Sequence, residues 1–165
     1  MARIFISIGT NIDREHYLNQ AFHGLNQAFQ GLKFSQVYES EAVGFEGENF
    51  YNLVVEAQSD ASVEQVVSIL KQIEDKNGRV RGGEKFSART LDLDLLLYDD
   101  VVCQEPISLP RDEVLTNAFV LLPLQELAPS LEHPQVGQTM EELWQAYEKS
   151  KQSLWPIEFL WPQSA

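Results

Sequence analysis

The sequence predicts an α+β protein built on a ferredoxin-like βαββαβ core, which is an antiparallel sheet with helices packed on it. Apolar segments with strand and helix periodicity follow one another in the order strand, helix, strand, strand, helix, strand. The 165 residues are enough for a substantial core, and residues 1–165 are expected to form a single domain. Prolines then recur through the last third of the sequence, which predicts a C-terminal extension of short helices.

The first part of the chain is predicted to supply a strand, a helix and two further strands. Residues 2–8 have strand periodicity, and a Gly-Thr-Asn segment ends them. A helix is predicted from about Asp13, because apolar residues then recur on one helical face. These residues are Leu18, Ala21, Phe22, Leu25 and Phe29. Residues 33–40 and 50–58 are predicted to be the second and third strands.

The second helix and the strand after it have the clearest sequence signals. Ser62 and Gln65 resemble a capping box at the start of an apolar helical stripe. The stripe consists of Val63, Val66, Val67, Leu70 and Ile73. Asn77-Gly78 is expected to end the helix, and a basic loop over 79–88 follows. Residues 89–98 are predicted to form a strand, and their leucines predict a central position in the sheet.

The last third of the chain is less regular. Four prolines divide it into short pieces, namely Pro110, Pro123, Pro129 and Pro134. Helices are predicted near residues 115–128 and 139–149. The apolar segment SLWPIEFLWP at the end is expected to pack on the body of the protein.

Composition and charge exclude several classes of protein. A net charge of −13 argues against a general affinity for nucleic acid or for an anionic membrane surface. Cys103 is the only cysteine, so no internal disulfide can form. Because no apolar run reaches the length of a membrane span or a signal peptide, a soluble, cytoplasmic protein is expected. We further expect it to be a monomer.

The most informative motif is a pair of aspartates preceded by a basic loop. Asp92 and Asp94 alternate with leucines, so their α-carbons lie about 6.6 Å apart and their side chains share one face of a strand. Such carboxylates can bind Mg²⁺, but they can also simply solvate an exposed sheet face. Four basic residues precede them on either side of two glycines, namely Arg79, Arg81, Lys85 and Arg89. Carboxylates for metal beside cations for phosphate are the two halves of a phosphoryl-transfer site, although a solvated loop of mixed charge is the simpler alternative.

Aromatic and amide residues could frame a flat, apolar substrate. The candidates are Phe50, Asn52, Phe86 and Phe119. The pattern alone favours a place in the core for each phenylalanine, whereas Asn52 interrupts a strand and would need hydrogen-bond partners there. Neither a Walker A loop nor a G-x-G-x-x-G fingerprint is present, and the three histidines lack zinc-site spacing.

The run GRVRGGEKFSARTLDLDLLLY at residues 78–98 resembles the signature of the 6-hydroxymethyl-7,8-dihydropterin pyrophosphokinase family. The segments ISIGTNI, FYNLVVE and AFVLLPLQELAP, together with Tyr38, resemble other landmarks of that family in the same order, so the resemblance covers nearly the whole chain. It implies a ferredoxin-like enzyme of folate biosynthesis. In the implied reaction, pyrophosphate passes from ATP to the hydroxymethyl group of the pterin, and AMP is released.

The resemblance also implies a role for particular residues. The catalytic residues would be Arg79, Arg89, Asp92 and Asp94, with two Mg²⁺ ions bound by Asp92 and Asp94. ATP would be bound by Lys71, Glu74, Arg79, Lys85, Arg89, Leu95, Ile107, Ser108 and Arg111. The pterin would be bound by Ser40, Val43, Phe50, Asn52, Phe86, Asp92 and Phe119.

Several positions depart from the family pattern, mainly on the nucleotide side. Arg111 replaces a usual histidine, and Asn117 replaces a usual arginine. Lys85 and Phe86 stand where arginine and tryptophan are usual, and Glu41 replaces a proline. We therefore expect weaker ATP binding or slower turnover, without loss of the chemistry. Two alternatives are a pyrophosphotransferase for a modified pterin and a non-catalytic pterin- or nucleotide-binding module. A ferredoxin-like RNA-binding module is disfavoured by the negative charge.

Overall fold

A computed structural model describes residues 1–40, 49–78, 91–148 and 154–161. The elements in chain order are β1 (Ala2–Thr10), α1 (Arg14–Ala28), β2 (Gln30–Phe34), β3 (Val37–Ser40), β4 (Phe50–Ser59), α2 (Val63–Lys76), β5 (Asp92–Tyr98), α3 (Glu113–Thr116), α4 (Ala118–Leu127), α5 (Met140–Ala146) and β6 (Leu154–Ile157). The strands form one antiparallel sheet in the order β5-β1-β4-β3-β6, and β2 also pairs with β4. The predicted α+β class is confirmed.

Helices cover both faces of this sheet. On one face, buried residues of α1 and α2, such as Leu25 and Leu70, pack on apolar residues of β1, β4 and β5. On the other face, α3, α4 and α5 pack on Phe5 and Val54 through buried residues such as Leu121. The C-terminal extension therefore provides a second layer of helices, so the sheet lies between two helical layers. The candidate site lies beneath this second layer.

The predicted central position of the leucine-rich strand is wrong. β5 is the terminal strand of the sheet and pairs with β1 alone among the described strands. Its leucines are buried because helices cover both faces: Leu93 and Leu95 lie in the core under α1 and α2, whereas Leu96 and Leu97 lie in the core under α3 to α5. A register shift opposite Phe5 and Ile6 lets two successive leucines enter the second core.

The remaining boundaries follow the prediction with local corrections. The predicted strand over 33–40 is two strands, β2 and β3, because the chain has one extra residue relative to β4 around Ser35. The predicted helix over 115–128 is also two helices, since Asn117 has an extended backbone between α3 and α4. The predicted helix over 139–149 is the shorter α5, which Thr139 caps. The predicted basic loop and the first two residues of the predicted strand 89–98 lie outside the described residues.

The C-terminal segment packs on the body of the protein, as expected. β6 extends the sheet by pairing with β3, and Ser40 lies opposite Leu154. Beyond the strand, the ring of Trp161 lies 4.5 Å from that of Phe34 and 6.1 Å from that of Phe22. Within the described part of the chain, no helix has the length and apolar character needed to cross a membrane.

Candidate active site

A cavity of about 190 Å³ lies between one end of the sheet and helices α3 and α4. Strands β1, β4 and β5 form its floor, and the opposite wall comes from the segment that leads into α4. Its lining residues are Ser7, Ile8, Gly9, Asn52, Asp92, Asp94, Leu96, Arg111, Glu113, Asn117, Phe119 and Val120. Carboxylates, a guanidinium, amides and an aromatic ring therefore share one cleft.

Strand register places the Asn52 amide on one side of Gly9 and the aspartates on the other. This glycine pairs with Asn52 on β4 and with Asp92 on β5. With neighbouring strands about 4.8 Å apart, Asn52 and Asp92 are separated by about 10 Å across the floor. A Cβ atom at position 9 would lie only 3.1 Å from Asn52 Oδ1. Glycine at this position therefore leaves room for the Asn52 amide and keeps the floor open between the two groups.

The carboxylate half of the cavity contains Asp92 and Asp94. Both are half-buried and lie on the same face of β5, as their spacing predicts. Arg111 faces them: its Nη2 atom lies 3.5 Å from Asp94 Oδ1, and its Nε donates a 2.9 Å hydrogen bond to Glu113 Oε2. The segment carrying Arg111 is attached to β5, since the Arg111 backbone N–H donates to the carbonyl of Leu96 at 3.0 Å.

The two aspartates fit Mg²⁺ that is shared with a phosphate. Magnesium commonly uses one or two protein carboxylates and keeps its other positions for water and phosphate oxygens. Among the described residues, no group of three or more metal-binding side chains occurs. Asp92 and Asp94 would therefore supply only part of the coordination sphere, and the cavity beside them has room for the remaining ligands.

The backbone between the two aspartates is held by Glu74 of α2. This carboxylate is only 6% exposed, and its Oε2 atom accepts a 2.7 Å hydrogen bond from the backbone N–H of Leu93. An edge strand leaves such N–H groups unpaired unless another element covers them. Because Leu93 lies between Asp92 and Asp94, Glu74 fixes the section of β5 that carries both carboxylates.

The amide half of the cavity is built around Asn52. Its Nδ2 donates a 3.0 Å hydrogen bond to Oγ of the buried Ser40, so the neighbouring strand fixes the amide orientation. Phe119, in the first turn of α4, borders the same space. The other end of α4 is attached to β3, where the Tyr38 hydroxyl donates to Glu126 Oε1 at 2.6 Å. Burial and this contact with Glu126 raise the pKa of the Tyr38 phenol, which therefore stays a hydrogen-bond donor.

Arg14 joins the strands next to the amide half. Its Nη1 atom donates a 3.0 Å hydrogen bond to the Asn49 carbonyl and lies 3.6 Å from Glu39 Oε2. Its guanidinium carbon lies 4.1 Å from the centre of the Tyr51 ring. Asn49 Nδ2 donates to Glu39 Oε2 at 2.9 Å, which closes the cluster. The start of α1 thus holds β3 and β4 together where Ser40 and Phe50 are located.

The cavity brings together some of the residues predicted from the sequence. Asp92, Asp94, Arg111, Asn52 and Phe119 line it. Other predicted residues do not: Lys71 and Ser108 are exposed, Ser40, Glu74 and the Leu95 side chain are buried, and Phe50 and Ile107 are half-buried away from the lining. Five more lie outside the described residues, namely Val43, Arg79, Lys85, Phe86 and Arg89.

Six lining residues were not predicted as part of the site: the apolar Ile8, Leu96 and Val120, and also Ser7, Gly9 and Glu113. Gly9 had a signal, since it ends an apolar strand directly before a polar Thr-Asn pair. Ser7 and Glu113 had none, because only the register of β1 and the path of the segment before α4 bring them to the cavity.

Comparison with known proteins identifies the family of this chain. The model of the 7,8-dihydro-6-hydroxymethylpterin-pyrophosphokinase (HPPK) family matches residues 5–129. A 2-amino-4-hydroxy-6-hydroxymethyldihydropteridine pyrophosphokinase of Aquifex aeolicus is 32% identical over 145 residues, which cover 86% of this chain and 90% of that protein. The corresponding Bacillus subtilis protein is 35% identical over 134 residues, which cover 78% of this chain and 79% of that protein.

A solved structure supports the fold independently. The HPPK-DHPS protein of Plasmodium falciparum superposes with a TM-score of 0.70 at 14% identity, covering 90% of this chain and 44% of that chain. This chain therefore spans less than half the length of that structure, and the similarity bears on the fold alone. The comparisons confirm the ferredoxin-like fold and the prediction of a pyrophosphate-transferring enzyme of folate biosynthesis. The chain belongs to the 7,8-dihydro-6-hydroxymethylpterin-pyrophosphokinase family.

Proposed function

We propose that this protein transfers pyrophosphate from ATP to the hydroxymethyl group of 6-hydroxymethyl-7,8-dihydropterin at the cavity that contains Asp92 and Asp94. The main support for the proposal is that Gly9 divides the cavity into two parts. A carboxylate pair lies on one side of this glycine, and a fixed amide beside an aromatic ring lies on the other. This arrangement suits two substrates, a metal-bound triphosphate and a flat heterocycle, that meet above the middle of the floor.

The pterin would occupy the amide half of the cavity. Asn52 Oδ1 faces this space, and the hydrogen bond from Asn52 to Ser40 keeps the amide from rotating. An oriented amide can recognise the donor and acceptor edge of a heterocycle. Phe119 would pack on the face of the ring. The resemblance adds Val43, Phe50 and Phe86 to this half.

The triphosphate would occupy the carboxylate half, with two Mg²⁺ ions held by Asp92 and Asp94. When bound, these ions neutralise phosphate charge and favour the in-line arrangement of attacking and leaving oxygens. Arg111 would contribute a guanidinium to a phosphate oxygen, as its position beside Asp94 allows. The resemblance adds Arg79, Lys85 and Arg89 to the phosphate contacts. It also adds Lys71, Glu74, Leu95, Ile107 and Ser108 to the nucleotide site.

In the proposed reaction, the pterin hydroxymethyl oxygen attacks the β-phosphorus of ATP. The bond from that phosphorus to the oxygen bridging the α- and β-phosphates breaks, AMP leaves, and the proton of the hydroxyl group is released to solvent. Positioning and charge stabilisation provide most of the catalysis in such transfers. The proposal also includes a monomeric, cytoplasmic protein. The net charge of −13 disfavours binding to nucleic acid and to anionic membranes.

Product analysis tests the proposal. The purified protein is incubated with ATP, Mg²⁺ and 6-hydroxymethyl-7,8-dihydropterin, and nucleotides and pterins are separated and quantified. We expect AMP and the pterin diphosphate in equal amounts. Formation of ADP would contradict pyrophosphate transfer. Product from a modified pterin alone would favour the substrate alternative, and tight binding of both substrates without product would favour a non-catalytic module.

A further inference from the structure

Arg111 lies between two carboxylates inside the candidate site. Its guanidinium is 3.5 Å from Asp94 and hydrogen-bonded to Glu113 at 2.9 Å, and its backbone N–H is bonded to β5. The side chains of Arg111 and Asp94 are both about one-third exposed, at 31% and 34%. The cation is therefore held in place from two sides, directly beside one of the proposed metal ligands.

We propose that Arg111 is the resident counter-ion of Asp94, so that the protein without nucleotide binds divalent cations weakly and binds them well only together with the nucleotide. The inference rests on the proposed function, because it takes Asp92 and Asp94 as the metal ligands. It concerns a residue in which this chain departs from the family pattern.

Arg111 and a divalent cation compete for the Asp94 carboxylate because of their charges. A guanidinium beside a carboxylate neutralises much of the charge that would attract a metal ion, and it repels a dication that approaches the same oxygen atoms. Glu113 prevents Arg111 from simply turning away, since its hydrogen bond anchors the Nε side of the guanidinium. A metal ion must therefore either displace Arg111 from Asp94 or bind beside it against the repulsion.

A nucleotide removes this obstacle by offering Arg111 another partner. Phosphate oxygens accept two parallel hydrogen bonds from a guanidinium and carry more charge than one carboxylate. Arg111 can then exchange Asp94 for phosphate, which removes this competing cation from the Asp94 carboxylate. Metal and nucleotide would consequently strengthen each other's binding, and this coupling must be reciprocal.

The test measures metal binding without nucleotide, so it does not depend on activity. Mn²⁺ replaces Mg²⁺ as the probe, and free Mn²⁺ is quantified by electron paramagnetic resonance during titration of the full-length protein. Arg111→Gln removes the charge with little change in size. We expect its Mn²⁺ affinity to rise about tenfold, because one repelling charge next to the metal ligand is removed. Arg111→Met serves the same purpose if the first variant does not fold.

Two further variants control for charge. Arg111→Lys keeps a cation in the cavity and should bind Mn²⁺ almost as weakly as the native protein. Lys33→Gln removes the same charge from an exposed position on β2 and should leave the Mn²⁺ affinity unchanged. Lys33 pairs with Glu56 of β4, away from Asn52 and the cavity.

The outcomes separate this inference from the proposed function. The Asp92→Asn, Asp94→Asn double variant should lose Mn²⁺ binding. If it does, and Arg111→Gln binds Mn²⁺ no better than the native protein, the inference is wrong while the proposed metal site stands. If the same two substitutions leave the Mn²⁺ affinity of Arg111→Gln unchanged, the proposed metal site is wrong and the inference is refuted with it.

Discussion

Replacing Glu74 should reduce both the stability of the protein and its turnover, although this side chain does not line the cavity. Its carboxylate accepts a hydrogen bond from the Leu93 N–H at 2.7 Å and is almost fully buried. Leu93 lies between the two aspartates, so the loss of this bond would free the section of edge strand that carries them. Glu74→Ala removes the acceptor, and Glu74→Gln keeps a neutral one.

The size of the effect follows from the contact. A hydrogen bond to a charged group contributes about 1.5–3 kcal/mol, and a buried donor left without a partner costs about 1–3 kcal/mol. The two ranges are not added, because both count the loss of the same hydrogen bond. We therefore expect Glu74→Ala to reduce the free energy of unfolding by about 3 kcal/mol. Glu74→Gln retains the bond without its charge, and we expect a loss of about 1 kcal/mol.

Urea unfolding, followed by circular dichroism, measures this effect. Gln72→Ala is the matched control, because Gln72 is an exposed residue of the same helix. Turnover is measured at a temperature where every variant is folded, and Glu74→Ala should lower kcat. The interpretation of Glu74 is refuted if Glu74→Ala and Gln72→Ala unfold at the same urea concentration.

Three further changes test other parts of the site and fold. Asn117→Arg adds a cation to the cavity wall and should tighten ATP binding by one to two decades, since a charge-assisted contact is worth about 1.5–3 kcal/mol. Gly9→Ala should raise KM for the pterin several-fold and leave ATP affinity unchanged, because the new Cβ would lie 3.1 Å from Asn52 Oδ1. Burial lowers the pKa of His133 below 6.5, so the unfolded chain binds more protons below that pH and stability should fall on acidification. His133→Asn should remove this part of the pH dependence.

Each of these predictions has a result that would contradict it. Equal nucleotide dissociation constants for Asn117→Arg and the native protein would rule out a missing phosphate contact at that position. A Gly9→Ala variant with native KM for the pterin would show that Asn52 can move at no cost. For His133, the difference in unfolding free energy between about pH 7.5 and pH 5.5 is compared in the native and His133→Asn proteins. The same difference in both proteins would show that His133 does not contribute.

Much of the fold could be predicted from the sequence, because local patterns determine it. The apolar stripe of α2 and its Ser62 cap set the bounds of that helix, and the structure contains both. The position of β5 could not be predicted in the same way. A run of leucines reports burial on both faces of a strand, but it does not distinguish a central strand from an edge strand covered by helices on each side.

The site was predictable where it depended on a single strand. The spacing of Asp92 and Asp94 placed both on one face, and the structure shows this arrangement. The pairing of Asn52 with Gly9 depends on strand register, which no local pattern reveals. The contact between Arg111 and Asp94 was also hidden, because it requires the segment before α3 to run along the outer edge of β5.

The most direct test of the central claim is pterin-dependent formation of AMP by the native protein and by the Asp92→Asn, Asp94→Asn double variant. Circular dichroism first establishes that both proteins are folded. The proposed site predicts that AMP appears only when ATP, Mg²⁺ and 6-hydroxymethyl-7,8-dihydropterin are all present, and that the double variant is slower by at least about a hundredfold, since it loses the main charge stabilisation of the transition state. Undiminished AMP formation by the double variant would contradict the assignment of the site to this cavity.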